Sequence, residues 1–427
     1  MPPQSPTASV TSVRRSIPRV HPRVVAPPLQ LAETAAAAVF SAVRAGGPIA
    51  RETIAGVTSL SIATVNRQVA ALLQSGLLIE RADLATSGAV GRPRRPVAVN
   101  QEPYLVLGLH IGSKTTSIVA TDLLGRTLDV VEIPTPANGA VPALASLASS
   151  ASRYLTRWQK RRPLWVGVAI GGAVHGATGT VDHTRLGWRA APVGPVLAEQ
   201  LNLPVSVVFN VEAMAGAELL LGVPQPAAES STSLYVYARE TVGYALMIGG
   251  RVHSPSRGPG TIAGLPAASE LLGGTGQLES TVSDEAVLAA AYRLGILPEG
   301  NGCASEAVTG LVREARAGNS RARQLLTERA RVLGEAVALL HDVLNPDDLV
   351  VGGQAFTDYP EGMAEVERAF AQRSAVGGGT IRVTSFGNRV QEVGAGTVSL
   401  SALYSDPLGA MRRSRGRLVG AVPEASA

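Results

Sequence analysis

The sequence is poor in cysteine, aromatics, lysine and long apolar runs. It holds one cysteine, Cys303, in 427 residues. That excludes an intrachain disulfide and any site needing two thiolates. A zinc site of four cysteines, or of three with a histidine, is ruled out by counting. Aromatic residues are 4% of the chain, so its core must be aliphatic, and 45% hydrophobic residues supply ample material. No stretch of ~20 apolar residues is free of charge, which argues against a transmembrane helix. Lysine is confined to Lys114 and Lys160, so arginine carries the positive charge.

That charge is uneven. Residues 1–100 hold eleven arginines and four acids, a local charge of +7, which leaves −2 on the remaining 327 residues. A basic front end on a slightly acidic body points to a polyanion partner. At ~150 residues per domain the length predicts about three domains. Residues 1–28 mix Pro, Ser, Val and Arg without helical period and read as a disordered arm. Arg14-Arg15 mimics an export signal, but Ser16-Ile17-Pro18-Arg19 replaces the apolar stretch an export signal needs. The expected compartment is the cytoplasm.

Residues 31–44, 51–57 and 62–75 predict three short helices, with Gly46-Gly47-Pro48 ending the first and Ser61 capping the third. Val65, Val69, Leu72 and Leu73 form one apolar stripe on the third helix. Its opposite face carries Thr64, Asn66, Arg67 and Gln68. Gly76 follows, then strands at 77–80 and 97–99 around Gly91-Arg92-Pro93-Arg94-Arg95-Pro96. Helices joined by a tight turn plus a hairpin predict a winged helix-turn-helix over 29–100. Its third helix is sized for the DNA major groove, and its wing arginines suit phosphates or a narrow minor groove. The candidate DNA contacts are Ser61, Thr64, Asn66, Arg67, Gln68, Arg92, Arg94 and Arg95.

From about 103 to 405 the chain alternates strands and helices, an α/β pattern. Strands are predicted at 105–111, 116–122 and 127–133, and the same hairpin-plus-strand unit returns at 233–238, 242–248 and 251–254. Further strands fit 164–170, 205–209, 348–351 and 380–384, and a long helix fits 322–344 before Asn345-Pro346. Two such units predict a duplicated body with a central cleft.

The stretches 48–78, 91–96, 108–127, 166–179, 203–218, 249–265 and 344–353 together resemble the ROK family of repressors, open reading frames and sugar kinases, in particular its winged-helix regulators. The resemblance implies an actin/hexokinase-like (ribonuclease H-like) two-lobed body, with lobe 1 at 101–226 completed by 386–405 and lobe 2 at 227–385. Residues 406–427 remain as a basic disordered tail. Kinase members phosphorylate sugars with ATP and Mg²⁺ in the cleft; regulators bind operators, many under control of a sugar or sugar phosphate.

The kinase chemistry is missing at matched positions. The loop that opens Asp-x-Gly-Gly-Thr in kinases reads His110-Ile111-Gly112-Ser113-Lys114 here, and a histidine does not suit a hard cation. Keeping the Ala217-Glu218 register puts Asn210 where the family has its general base, and an amide cannot take that proton. Thr261 and Gly264 stand for the sugar-gripping Glu and the zinc-binding His, and residues 272–277 replace the cysteine-rich zinc loop. Lys114, Asn210, Glu212, Thr261 and Glu279 remain as candidate cleft ligands, while Gly352-Gly353 keeps the adenosine-side glycines.

The sequence therefore predicts a ROK-type transcriptional regulator, pseudokinase-like, with no catalytic residue, metal or cofactor. Its partners would be double-stranded operator DNA, a second copy in a homodimer or higher homo-oligomer, and a sugar-like effector, with no membrane contact. An ATP-dependent sugar kinase and a non-DNA interaction scaffold are the alternatives.

Overall fold

The structure, a computed structural model, describes residues 23–84, 95–223, 231–298, 304–377 and 379–415. Chain chemistry sets the first three helices. The Thr34 hydroxyl caps α1 (Ala35–Gly46) by accepting from the Ala37 N–H, and Gly47 at φ 67° turns the chain out. α2 (Arg51–Thr58) follows. The Ser61 hydroxyl caps α3 (Ile62–Ser75), which ends on Gly76 at φ 84°. β1 (Leu78–Glu80) and β2 (Val97–Val99) then pair antiparallel. These elements form a head with the helix-turn-helix order. α1 begins at 35, rather than at the predicted 31, because 29–31 are drawn onto the body.

Lobe 1 contains β3 (Tyr104–Ile111), β4 (Thr115–Thr121), β5 (Thr127–Pro134), α4 (Ala140–Leu155), β6 (Arg162–Ile170) and the small sheet β7 (Ala173–His175), β8 (Thr180–His183) and β9 (Trp188–Ala191). It continues with α5 (Val193–Leu201), β10 (Val205–Phe209) and α6 (Asn210–Leu221). Lobe 2 contains β11 (Thr232–Ala238), β12 (Val242–Ile248), β13 (Arg251–Val252), α7 (Leu278–Val282), α8 (Asp284–Arg293), α9 (Ala304–Arg316) and α10 (Ser320–Leu344). β14 (Asp348–Gly352), α11 (Gln354–Thr357), α12 (Met363–Arg373) and β15 (Ile381–Val383) complete it. α13 (Val390–Ser405) and α14 (Pro407–Arg415) close the described chain.

The two main sheets run β10-β6-β3-β4-β5 and β13-β12-β11-β14-β15. In each, an antiparallel hairpin adjoins parallel strands, so the duplication in the sequence is a duplication of architecture. The result is a mixed α/β, actin/hexokinase-like body carrying an N-terminal helical head. α13 lies on β3 and β6, where glycine permits near backbone contact. A Cβ on Gly108 would sit 2.7 Å from the Ala395 carbonyl carbon, and one on Gly167 would sit 2.3 Å from Ser399 N.

The head is fastened to lobe 1. Phe40, Leu72, Tyr404 and Met411 belong to one buried core. Arg44 donates to the Leu220 carbonyl at 3.0 Å and stacks 4.1 Å over the Tyr404 ring. Arg415 of α14 donates to the Ser75 carbonyl at the end of α3.

Two expectations are corrected. Residues 23–28 of the supposed disordered arm are ordered against the body: Val24 bridges Val205 in parallel, and Val25 N–H donates to the Val205 carbonyl at 2.9 Å. Pro27 and Pro28 deny this segment a helix, but an edge segment needs none. The front of the supposed disordered tail is α14, which buries Ala410 and Met411. Its arginines supply solvated and anchoring positions on an amphipathic helix. Residues 1–22 and 416–427, and Cys303, lie outside the described residues.

Candidate nucleic-acid interface and central cleft

On α3, Val65, Val69 and Leu72 are fully buried and Leu73 half-buried, while Ser61, Ile62, Asn66 and Arg67 are exposed. Thr64 and Gln68 are half-buried. The helix thus packs one stripe on the head and leaves the other at its N-terminal half uncovered. The Ser61 hydroxyl donates to Thr64 Oγ1 at 3.0 Å while accepting from Thr64 N–H, so these two polar groups are partly spent on the cap. Asn66 accepts from Arg51 at 3.4 Å, and Arg67 has no partner among the described residues. Arg95 is exposed and pairs with Glu80 at 3.5 Å. Arg51 reaches the same carboxylate at 3.0 Å. Arg92 and Arg94 lie outside the described residues.

Sequence reasoning missed Arg51, which opens α2 yet ties α3 to β1. It also left Ile62 unassigned. Exposed at the first turn of α3, Ile62 suits contact with a thymine methyl.

The second site is the cleft between the lobes, with a volume of about 210 Å³. Lobe 1 supplies His110, Ser113, Gly171, Gly172, Arg185 and Asn210; lobe 2 supplies Arg239, Glu240, Thr241, Thr261 and Glu279. Asn210 starts α6, and its Oδ1 accepts from Val211 N–H at 2.9 Å. The residue at the family's base position is therefore an amide already used on its own turn. Thr261 is likewise held on backbone, accepting from Ala263 N–H at 3.2 Å.

Side-chain contacts cross the cleft. Arg185 Nη2 donates to Glu279 Oε1 and to the Glu240 carbonyl, both at 3.2 Å. The Ser113 hydroxyl donates to Glu240 Oε2 at 3.2 Å. Glu279 also accepts from Val242 N–H at 3.3 Å. Its carboxylate faces the cleft already paired with an arginine from the other lobe.

His110 is buried, and burial with the nearby Arg239 guanidinium holds its imidazole down to about 4, so it is neutral at pH 7. Arg239 donates to Gln391 at 2.8 Å and lies 3.9 Å from Asp284. No group of three His, Cys, Asp or Glu that could hold a metal ion exists among the described residues. A neutral histidine beside a guanidinium does not fit the magnesium ion of kinase relatives, which calls for oxygen ligands.

Two predicted cleft ligands are placed elsewhere. Lys114 is exposed at the tip of the β3–β4 turn and does not line the cleft. Glu212, two residues along α6 from Asn210, faces a separate chamber, because a helix turns ~200° in two residues. Sequence reasoning missed Arg185, which carries no motif, and Gln391, which reaches the cleft from the end of the chain. The Gly352-Gly353 pair has a packing cause. Gly353 sits at φ 93°, and a Cβ there would meet the Ala238 carbonyl oxygen at 2.4 Å.

Residues 106–400 match the ROK family. The transcriptional regulator Rv0485 of Mycobacterium tuberculosis (strain H37Rv) is 68% identical over 417 residues, 96% of this chain and 95% of that protein. The crystal structure of a ROK family transcriptional regulator, a homolog of the E. coli MLC protein, superposes with a TM-score of 0.72 at 20% identity, covering 89% of this chain and 97% of that one. A ROK family glucokinase from Streptomyces griseus, solved with glucose and AMPPNP, gives 0.58 at 21% identity, covering 69% of this chain and 99% of that one.

Proposed function

The chain belongs to the ROK family and is one of its transcriptional regulators; from that premise we propose that α3 reads operator DNA and that the kinase-like cleft senses rather than catalyses. The observation that carries this is the uncovered face of α3, with Asn66 and Arg67 exposed on a helix otherwise locked into the head. Arg67 would read guanine and Asn66 adenine, with Ser61, Thr64 and Gln68 beside them. Arg95, with Arg92 and Arg94, would hold phosphate or minor groove. The working limits are 29–100 for the head, 101–226 with 386–405 for lobe 1, and 227–385 for lobe 2.

On this reading the cleft carries out no phosphoryl transfer. The base position is Asn210, and loss of a general base alone costs ~10²–10⁴ in rate. A coupled assay over a hexose panel with ATP and Mg²⁺ tests this: no turnover is expected, and turnover abolished by Asn210→Ala would overturn it. The polar groups that remain, Asn210, Thr261 and Glu279, favour a sugar-like effector that binds one lobe arrangement better than another. Operator affinity that shifts with one member of a sugar panel supports that reading; none shifting it counts against it. A homodimer would set two heads on half-sites about one helical turn apart, ~34 Å. Sedimentation giving only monomer, with and without DNA, would refute the dimer.

A further inference from the structure

Residues 23–31 form a strap from one lobe to the other. On lobe 1, the Val205 N–H donates to the Arg23 carbonyl at 2.9 Å, and the Ser206 hydroxyl donates to the Val25 carbonyl at 2.7 Å. On lobe 2, the Val252 N–H donates to the Leu29 carbonyl and the Leu31 N–H to the Gly250 carbonyl, both at 2.8 Å. Thr34, the cap of α1, follows three residues later. Strap and lobes together enclose a chamber of about 110 Å³. Phe209 and Pro259 line both it and the central cleft, and so form the partition between them.

The side chains around the chamber are mostly apolar, Val207 of lobe 1, Val252 and Pro255 of lobe 2, and Pro27 and Leu29 of the strap, while close to half of its lining surface is polar. Among the described residues one charged side chain enters it, that of Glu212, which is 4% exposed. Burial pushes the Glu212 carboxyl up to about 7, and the nearby Ser254 hydroxyl opposes that rise. Among the described residues, no lysine, arginine or histidine lines the chamber. A buried carboxylate is stable only when a cation or several donors meet it. One hydroxyl leaves most of its accepting capacity unused. The volume is also informative: an apolar cavity of ~150 Å³ takes benzene, so this one takes a molecule of only a few heavy atoms.

We propose that this chamber is a second ligand site, taking a short-chain primary ammonium ion whose charge is met by Glu212 and whose hydrocarbon end lies between the strap and the two lobes. The ammonium supplies charge-assisted donors, and the valine and proline walls take the methylene groups. Such a ligand touches both lobes and the segment that leads into the head.

Calorimetric titration of the full chain at about pH 8, where the carboxyl is ionised, tests the site with n-propylammonium, 1-propanol and propionate. Saturable binding is expected for n-propylammonium alone. Glu212→Gln should weaken it by roughly tenfold or more, since a hydrogen bond to a charged group is lost. Gly176→Val serves as a second variant. A Cβ there lies 3.8 Å from Ala26 Cβ and 3.9 Å from Pro27 Cδ, so the added side chain enters the chamber without a clash at its first atom. It should block binding while unfolding at an unchanged temperature. No saturable binding, equal binding of 1-propanol, or binding that survives both folded variants would overturn the proposal.

Discussion

Arg185 of lobe 1 places its guanidinium 3.2 Å from the carboxylate of Glu279 in lobe 2, across the cleft. The protein thus brings its own cation to an acid that faces the ligand space. The two side chains are 33% and 29% exposed, so the pair contributes little to stability, about 1 kcal/mol or less. Its expected effect is on lobe closure. Arg185→Ala should leave the denaturant midpoint nearly unchanged while amide exchange accelerates in β8, β9 and the 239–243 loop. Unchanged exchange in those segments would show that the contact does not hold the lobes.

Acid titration should separate two buried groups. Glu212 is pushed up to about 7 from an ordinary 4.5, and His110 down to about 4 from 6.5. Between ~4.5 and ~7 the folded chain keeps a proton on Glu212 that the unfolded chain has released, so this group's contribution falls as pH rises. Between ~4 and ~6.5 the unfolded chain protonates His110 and the folded chain does not, so that contribution rises with pH. Each amounts to roughly 3 kcal/mol and they oppose one another. Glu212→Gln should gain on the wild type progressively from pH ~4.5 to ~7 in urea unfolding, and His110→Asn should gain on it as pH falls from ~6.5 to ~4. Parallel profiles would contradict the burial of these groups.

The head's attachment rests on Arg44, whose guanidinium lies over Tyr404 and donates to the Leu220 carbonyl. Arg44→Met keeps the aliphatic stem but loses the charge. A loss of about 1–2 kcal/mol is expected, with amide protection falling in α1 more than in lobe 2. An equal fall in both would mean that the head is not held locally by this residue.

Base reading and phosphate holding should respond differently to mutation. Arg67→Ala should cost about 1–3 kcal/mol of operator binding and relax base choice at one position. Arg95→Ala should weaken all sequences similarly and lower the salt slope by about one. Because Arg95 already pairs with Glu80 at 3.5 Å, Glu80→Gln should strengthen nonspecific binding. Gel shifts at several salt concentrations measure all three. Equal loss on every sequence for Arg67→Ala would refute its reading role.

Much of this was legible in the sequence. Val205–Phe209 and Val242–Ile248 are apolar runs with no competing pattern, and both strands span those residues. Ser61 and Gly76 marked the limits of α3 because cap chemistry is local. The misses have physical causes. Glu212 was grouped with Asn210 by sequence proximity, and a helix put them in different cavities. Arg185 and Glu279 are 94 residues apart and meet only because the lobes fold toward each other. Residues 23–28 carry no helical period, and nothing in their pattern shows that two sheet edges wait for them.

A sequence-reading head on a kinase-like body must select its own DNA. Selection of bound DNA from a random duplex pool by the full chain, beside Arg67→Ala, tests it most directly. The prediction is a repeated half-site at one-turn spacing for the wild type, with one base position degraded in the variant. A wild-type pool with no motif, indistinguishable from the variant's, would contradict it.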